Sequence, residues 1–135
     1  MKKMFVFFII GLLSGCQSTS DFYPENKYEK GMPVSLSIRQ ITMVKNGVKA
    51  HLKDPVSAQF GNISASKDSK GQIYVCGLVN AKNSFGGYTG SKPFNGLLAE
   101  IKPGIGMFGV TGMGGTEIET SVVFRFCNAW GISQF

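Results

Sequence analysis

Thiols at Cys16, Cys76 and Cys127, one imidazole at His51, and carboxylates at Asp54, Glu100, Glu117 and Glu119 are the groups with which this chain could do covalent, metal or acid–base chemistry. Zinc wants three or four ligands, and His51 could find them only by taking Cys76 and Cys127 out of a disulfide, so no metal is expected. A Cys–His nucleophile is equally poorly supported, because neither cysteine sits in a catalytic context and a bridged cysteine cannot attack. Glycan hydrolysis needs two of the carboxylates to converge in a cleft within about 10 Å. Asp54 is better explained as a helix cap, while Glu117 and Glu119 fall on one face of an expected strand beside a turn. Gly104-Ile105-Gly106-Met107-Phe108-Gly109 spells GxGxxG, but that fingerprint needs a strand before it and a helix after it, and Val110 to Gly115 is a poor helix. No catalytic residue and no resident cofactor is therefore expected.

Cys16 stands in a different setting. Lys2 and Lys3 are followed by the apolar run Met4 to Leu13 and then by Leu13-Ser14-Gly15-Cys16, which resembles the lipobox of bacterial lipoproteins. The run is the length of an export signal; a bilayer-crossing helix needs about 20 apolar residues. Residues 1–15 are read as a signal peptide that is removed, leaving Cys16 first, with diacylglycerol on its thiol and an acyl chain on its amine. Gly11 and Gly15 form a GxxxG pair of the membrane-helix kind, which cleavage would discard. Each buried methylene contributes about 0.8 kcal/mol, so several chains make release from a membrane very slow. Gln17 after the cysteine, in place of aspartate, resembles the sorting signal that in enteric bacteria directs lipoproteins to the outer membrane, with the domain then facing the periplasm or the cell surface.

Export changes how the rest of the composition reads. With Cys16 committed to lipid, Cys76 and Cys127 remain as one candidate pair in an oxidising compartment. A bridge across roughly 50 residues would stabilise the fold by about 4 kcal/mol in the chain-entropy model. Two separate buried thiols are the alternative. Loss of Lys2 and Lys3 lowers the formal charge from +6 to +4. Beyond the inner membrane the anions such a chain can meet are lipid headgroups, lipopolysaccharide and cell-wall polymers, not nucleic acid, and the excess also serves simple solubility. About 120 mature residues suffice for one small domain.

The elements that must position these groups follow from pattern. Residues 16–33 are polar and lack an apolar period, so they read as the lipidated cysteine and a flexible tether that spans roughly 20 Å. The domain takes 34–135. Ile38, Ile41, Val44, Val48 and Leu52 place one apolar stripe along a helix whose other face is basic through Arg39, Lys45, Lys49 and Lys53. Gly47 weakens that helix by about 1 kcal/mol relative to alanine. Asp54-Pro55 then starts a short turn through Ala58. Strands are expected at Phe60 to Ser66, Ile73 to Asn80, Phe94 to Ile101 and Ile118 to Cys127, with a hairpin turn at Asp68 to Gly71 and a stop at Pro103-Gly104. The sum is an α+β fold: one main amphipathic helix packed on an antiparallel sheet of about four strands, met by Val122, Phe124 and Phe126 from the last strand.

Leu52-Lys53-Asp54-Pro55-Val56-Ser57-Ala58-Gln59-Phe60, then Val75 to Gly90 and Pro93-Phe94, resemble a family of small bacterial secreted proteins and lipoproteins sharing LKDPxSAxF, VCGxVNAKNSFGGYxG and a phenylalanine. The likeness covers about half of the mature chain. It implies export and a small fold, and it carries over no activity and no catalytic residue; the glycine-rich stretch after Pro103 matches no part of the pattern.

Two segments could make contacts. Asn80 to Gly90 joins two strands with glycines that permit close backbone approach and with aromatics of low rotamer entropy; Lys82, Asn83, Phe85 and Tyr88 are the candidate binding residues. The competing reading is a loop packed on itself, its aromatics capping the sheet and its asparagines bonding their own backbone. Segment 104–115 is either a mobile apolar loop presenting Met107, Phe108 and Met113 to a partner or lipid, or a bulged strand on the sheet. The expected function is a non-catalytic, lipid-anchored binding module of the cell envelope. Its partner would be an outer-membrane protein, a secretion or conjugation assembly, or the cell wall. Alternatives are an exclusion or immunity lipoprotein against phage, plasmid or toxin, and a cell-wall or glycan hydrolase. Inhibition of lysozyme is disfavoured, since lysozymes are usually basic and so is this chain.

Overall fold

The computed structural model describes residues 29–135. The expected signal peptide, the expected lipidation site Cys16 and most of the expected tether lie outside them. The order is β1 (Met32–Val34), α1 (Ile38–Lys49), a single 3-10 turn (Pro55–Ser57), β2 (Gln59–Lys67), β3 (Ile73–Asn80), β4 (Lys92–Lys102), β5 (Ile105–Met113) and α2 (Glu117–Ala129). All strands pair antiparallel in the order β1-β2-β3-β4-β5. The class is α+β, with five strands and two helices where the sequence pattern suggests about four strands and one main helix. Met32 and Pro33, at the end of the expected tether, belong to β1 and pair with Lys67 and Ser66.

The main helix lies where its stripe predicts, but the stripe is fully buried only in its middle: Ile38 is exposed and Leu52 falls beyond the last turn. Ser37 caps it: its hydroxyl accepts from the Gln40 N–H and the Gln40 side chain accepts from the Ser37 N–H. Val44 and Val48 are fully buried against Ala65, Val75, Val79, Phe94, Leu98 and Phe108. Phe60 and Phe108 both meet the Phe94 ring edge-on. Gly47 has a use that helix propensity hides. A Cβ there would come within 3.0 Å of the Phe108 side chain and closer still to its carbonyl oxygen, so glycine lets α1 settle onto β5.

The carboxy-terminal segment corrects the sequence reading. Ile118 to Cys127 is helix, not strand. Thr116 and Glu119 form a reciprocal cap, the Thr116 hydroxyl accepting from the Glu119 N–H and the Glu119 carboxylate from the Thr116 N–H. Val123, Cys127 and Trp130, four and three residues apart, are buried against Tyr74 and Cys76. Val122, Phe124 and Phe126 therefore share no strand face, and all three are partly exposed. Burial of the 3.6-residue stripe, together with the cap, outweighs the β preference of Val122-Val123-Phe124-Arg125-Phe126.

Side chains alternate along β3. Val75 and Val79 face α1, whereas Tyr74 and Cys76 face α2, so the sheet lies between the helices in three layers. Cys76 and Cys127 form a disulfide with Cα atoms 6.2 Å apart, joining α2 to the central strand. Tyr74 stacks on Trp130 at 4.7 Å, and Phe124 on the terminal Phe135 at 5.3 Å. The glycine-rich segment forms β5, an edge strand with register shifts opposite Asn95/Gly96 and Glu100/Lys102. This is the bulged-strand alternative, and Pro103-Gly104 is the hairpin turn between β4 and β5 rather than a stop.

The two ends of the sheet differ. At one lie the 3-10 turn, the start of α2 and the connection 81–91; this is the loop end. At the other, about 25 Å away along β3, lie the Asp68 to Gly71 turn and the β4–β5 turn; this is the hairpin end. Glu29, the first described residue, accepts a hydrogen bond from the Ser69 hydroxyl, so the chain enters at the hairpin end.

Candidate functional site

The loop end is built from the Asp54-Pro55-Val56-Ser57 turn and the Asn80 to Gly90 connection, segments some 25 residues apart in sequence. Asp54 Oδ1 accepts from the Ser57 N–H, closing the 3-10 turn, and the Ser57 hydroxyl donates to the Asp54 carbonyl. That hydroxyl also accepts from the Lys82 N–H at 2.9 Å, and the Ser57 carbonyl accepts from the Tyr88 hydroxyl at 3.0 Å. The Leu52 to Phe60 and Val75 to Gly90 segments thus meet at Ser57.

Within the loop, Lys82 and Tyr88 pair as an isolated β-bridge and the Lys82 ammonium sits over the Tyr88 ring, 5.6 Å from its centre. Asn83 closes the tip. Its side-chain oxygen accepts from the Phe85 and Gly87 N–H groups, its N–H donates to the Gly87 carbonyl, and its own carbonyl accepts from the Gly86 N–H. Gly86 adopts φ 81°, which the tight return of the chain requires and a side chain disfavours. Of the four candidate contact residues, Lys82, Asn83 and Tyr88 are engaged in holding the loop's shape. Phe85 is the more exposed of the loop's two aromatics, 96% at the tip, while Tyr88 is 45% exposed and Val56 of the facing turn 95%. The asparagine behaves as the self-packed reading expects, but Phe85 does not cap the sheet. The arrangement is a braced turn that holds out one aromatic ring, suited to inserting into an apolar socket with little entropy left to lose.

The residues considered for chemistry are spread over several elements, and most serve structural roles. His51 is exposed in the turn after α1, while Cys76 and Cys127 are bridged and fully buried. Among the described residues no group of three or more His, Cys, Asp or Glu side chains is placed to hold a metal. Asp54 caps the 3-10 turn and Glu119 caps α2. Glu117 shares the first turn of α2 with Glu119, not a strand face. Glu100 is at the far end, accepting from the Gln40 amide and the Gly104 N–H. The GxGxxG segment runs from a hairpin turn into β5, the wrong context for a phosphate cradle.

A cleft that pattern reading misses lies at the hairpin end, roughly 580 Å³ and lined by Glu29, Asp68 and Glu100 among others. Those three carboxylates come from separate segments, and nothing local announces that they converge. Desolvation pushes the Asp68 carboxyl up, but hydrogen bonds from the Gln72 N–H, the Tyr74 hydroxyl and the Lys70 N–H, with the Lys70 charge, hold it below the usual carboxylate range. A general acid for glycan cleavage needs the opposite displacement.

Among the described residues no helix is long and apolar enough to cross a membrane. No family model matches the chain, and no curated protein and no solved structure matches it either.

Proposed function

We propose that this chain is a lipid-anchored protein of the bacterial envelope that binds another envelope component through the loop end and catalyses no reaction. The observation that carries the reading is the 81–91 connection: an extensively bonded loop with one fully presented aromatic residue, Phe85. Loops that only close a hairpin need neither the side-chain bracing nor the exposed ring, whereas rigid aromatic anchors characterise recognition surfaces. The lipobox-like run ending at Cys16 and the likeness of the two loop-end motifs to exported proteins support the anchor and the compartment, with the outer membrane as the favoured address.

A photo-crosslinking residue placed at Phe85 in the membrane-anchored chain, activated in living cells and followed by mass spectrometry, tests this. One abundant protein or cell-wall adduct, lost when the probe is moved to exposed Asn46 on α1, is the expected outcome. Labelling at Phe85 no stronger than at Asn46 would sink the reading.

A further inference from the structure

The hairpin end carries a second kind of surface. Ile101 is 86% exposed, Ile105 59% and Met107 71%, all at or beside the β4–β5 turn. Ile105 and Met107, two residues apart on β5, point to the same side of the strand. Ile38, at the first turn of α1, is 85% exposed, and its neighbour Arg39 lies against Gly104 of the turn, where an added Cβ would come within 2.8 Å of the arginine side chain. Aliphatic side chains that nothing covers are thus gathered around one projecting turn.

Charge accompanies them. Lys30, Arg39, Lys67, Lys70 and Lys102 are all exposed at this end. Against them stand Glu29, Asp68 and Glu100, each already accepting hydrogen bonds from the Ser69 hydroxyl, the Asp68–Tyr74 turn, and Gln40 with Gly104 respectively. The balance at this end is cationic. Long basic side chains with short aliphatic protrusions match the anionic headgroup layer of a bilayer, where the apolar tips reach the acyl boundary and the cations stay with the phosphates.

The chain entry decides between a lipid surface and another occupant. The first described residue, Glu29, is bonded at the hairpin end, and twelve residues separate it from Cys16. Even fully extended, that stretch reaches at most about 45 Å. An anchor attached at this end confines the end itself to the neighbourhood of the membrane. We infer that the hairpin end docks on an anionic phospholipid bilayer, with the β4–β5 turn entering the headgroup layer through Ile101, Ile105 and Met107. The domain then stands with its sheet turned away from the bilayer and Phe85 held outward, a few tens of ångströms from the surface. This deepens the proposed function and rests on the anchoring of Cys16.

The test uses the full lipidated chain, isolated from cells and reconstituted in phosphatidylethanolamine–phosphatidylglycerol vesicles that contain a phospholipid with a photoreactive acyl chain. After illumination, adducts are mapped by mass spectrometry. The expected result is adducts concentrated in residues 101–107 and none at 83–88. Ile105→Asp should cut the hairpin adducts by about tenfold, as expected when one aliphatic side chain no longer enters the apolar layer, and vesicles of neutral lipid alone should give weaker labelling. Vesicle flotation separates the two ways of failing. If the chain floats with the vesicles but adducts fall on the exposed α2 residues Ile118 to Phe126, on the Phe85 loop or nowhere in the domain, the docking is overturned and the anchor stands. If the chain from cells does not float, both fall together.

Discussion

The two faces of the sheet solve the same packing problem by different means. Under α1 the core is apolar and continuous, with Phe94 between Phe60 and Phe108 and with Gly47 allowing helix and strand to close. Under α2 the cluster is smaller, and it is held by the Cys76–Cys127 bridge and the Tyr74–Trp130 stack. Each helix buries few side chains outright, Val44 and Val48 on α1 and Val123 and Cys127 on α2, but those of α1 sit among many partly buried apolar neighbours and those of α2 among few. The face with the smaller apolar cluster is the one that carries the covalent link to the central strand.

The sharpest way to break the α1 face is Phe94→Ala, which removes a fully buried ring and leaves a cavity at the centre of the cluster. Urea unfolding should show a loss of about 4 kcal/mol. On the α2 face, replacing both Cys76 and Cys127 by alanine should cost about 3 kcal/mol. Reducing agent should then lower the stability of Phe94→Ala further but leave the double-alanine variant unchanged. Hydrogen exchange on reduced protein should rise more in α2 than in α1, and equal acceleration of both helices would contradict the contrast drawn between the faces.

Gly47→Ala separates helix propensity from packing. Propensity alone predicts a gain of about 1 kcal/mol, whereas crowding against Phe108 predicts a net loss of about 1–2 kcal/mol. The melting temperature decides the sign, and a fall is expected. The smallest effect concerns Asp68. Its folded pKa lies below the unfolded value of about 3.9, so the stability it contributes is present above that pH and is lost as pH falls through the folded value. Tyr74→Phe removes one of the bonds that hold the carboxyl down, and its NMR titration midpoint should move up towards the ordinary range.

Much of the α1 face is legible in the sequence. The helix around Val44 and Val48, the Asp54-Pro55 break, and the strands around Ile73 to Asn80 and Phe94 to Ile101 depend on periodicity and turn chemistry, which are local. Gly47 reads as a weak point because helix propensity is also local; its fit against Phe108 joins residues 61 apart. The second helix is disguised as a strand because Val122 to Phe126 is rich in β-branched and aromatic residues. Thr116-x-x-Glu119 and the spacing of Val123, Cys127 and Trp130 are the signals that outweigh that composition. At the loop end, Asn83 and the glycines announce a turn. That Ser57 braces Lys82 and Tyr88, leaving Phe85 as the more exposed of the loop's two aromatics, cannot be read from either segment alone.

Composition and order along the chain therefore determined the α+β class and the turns that separate the strands, because each depends on neighbours within a few residues. Only the tertiary structure decided that the sheet is covered on both faces, that β5 forms its edge, and that the braced aromatic loop and the aliphatic, cationic hairpin stand at opposite ends. Those outcomes depend on contacts between segments tens of residues apart, where burial of whole surfaces outweighs the preferences of single residues.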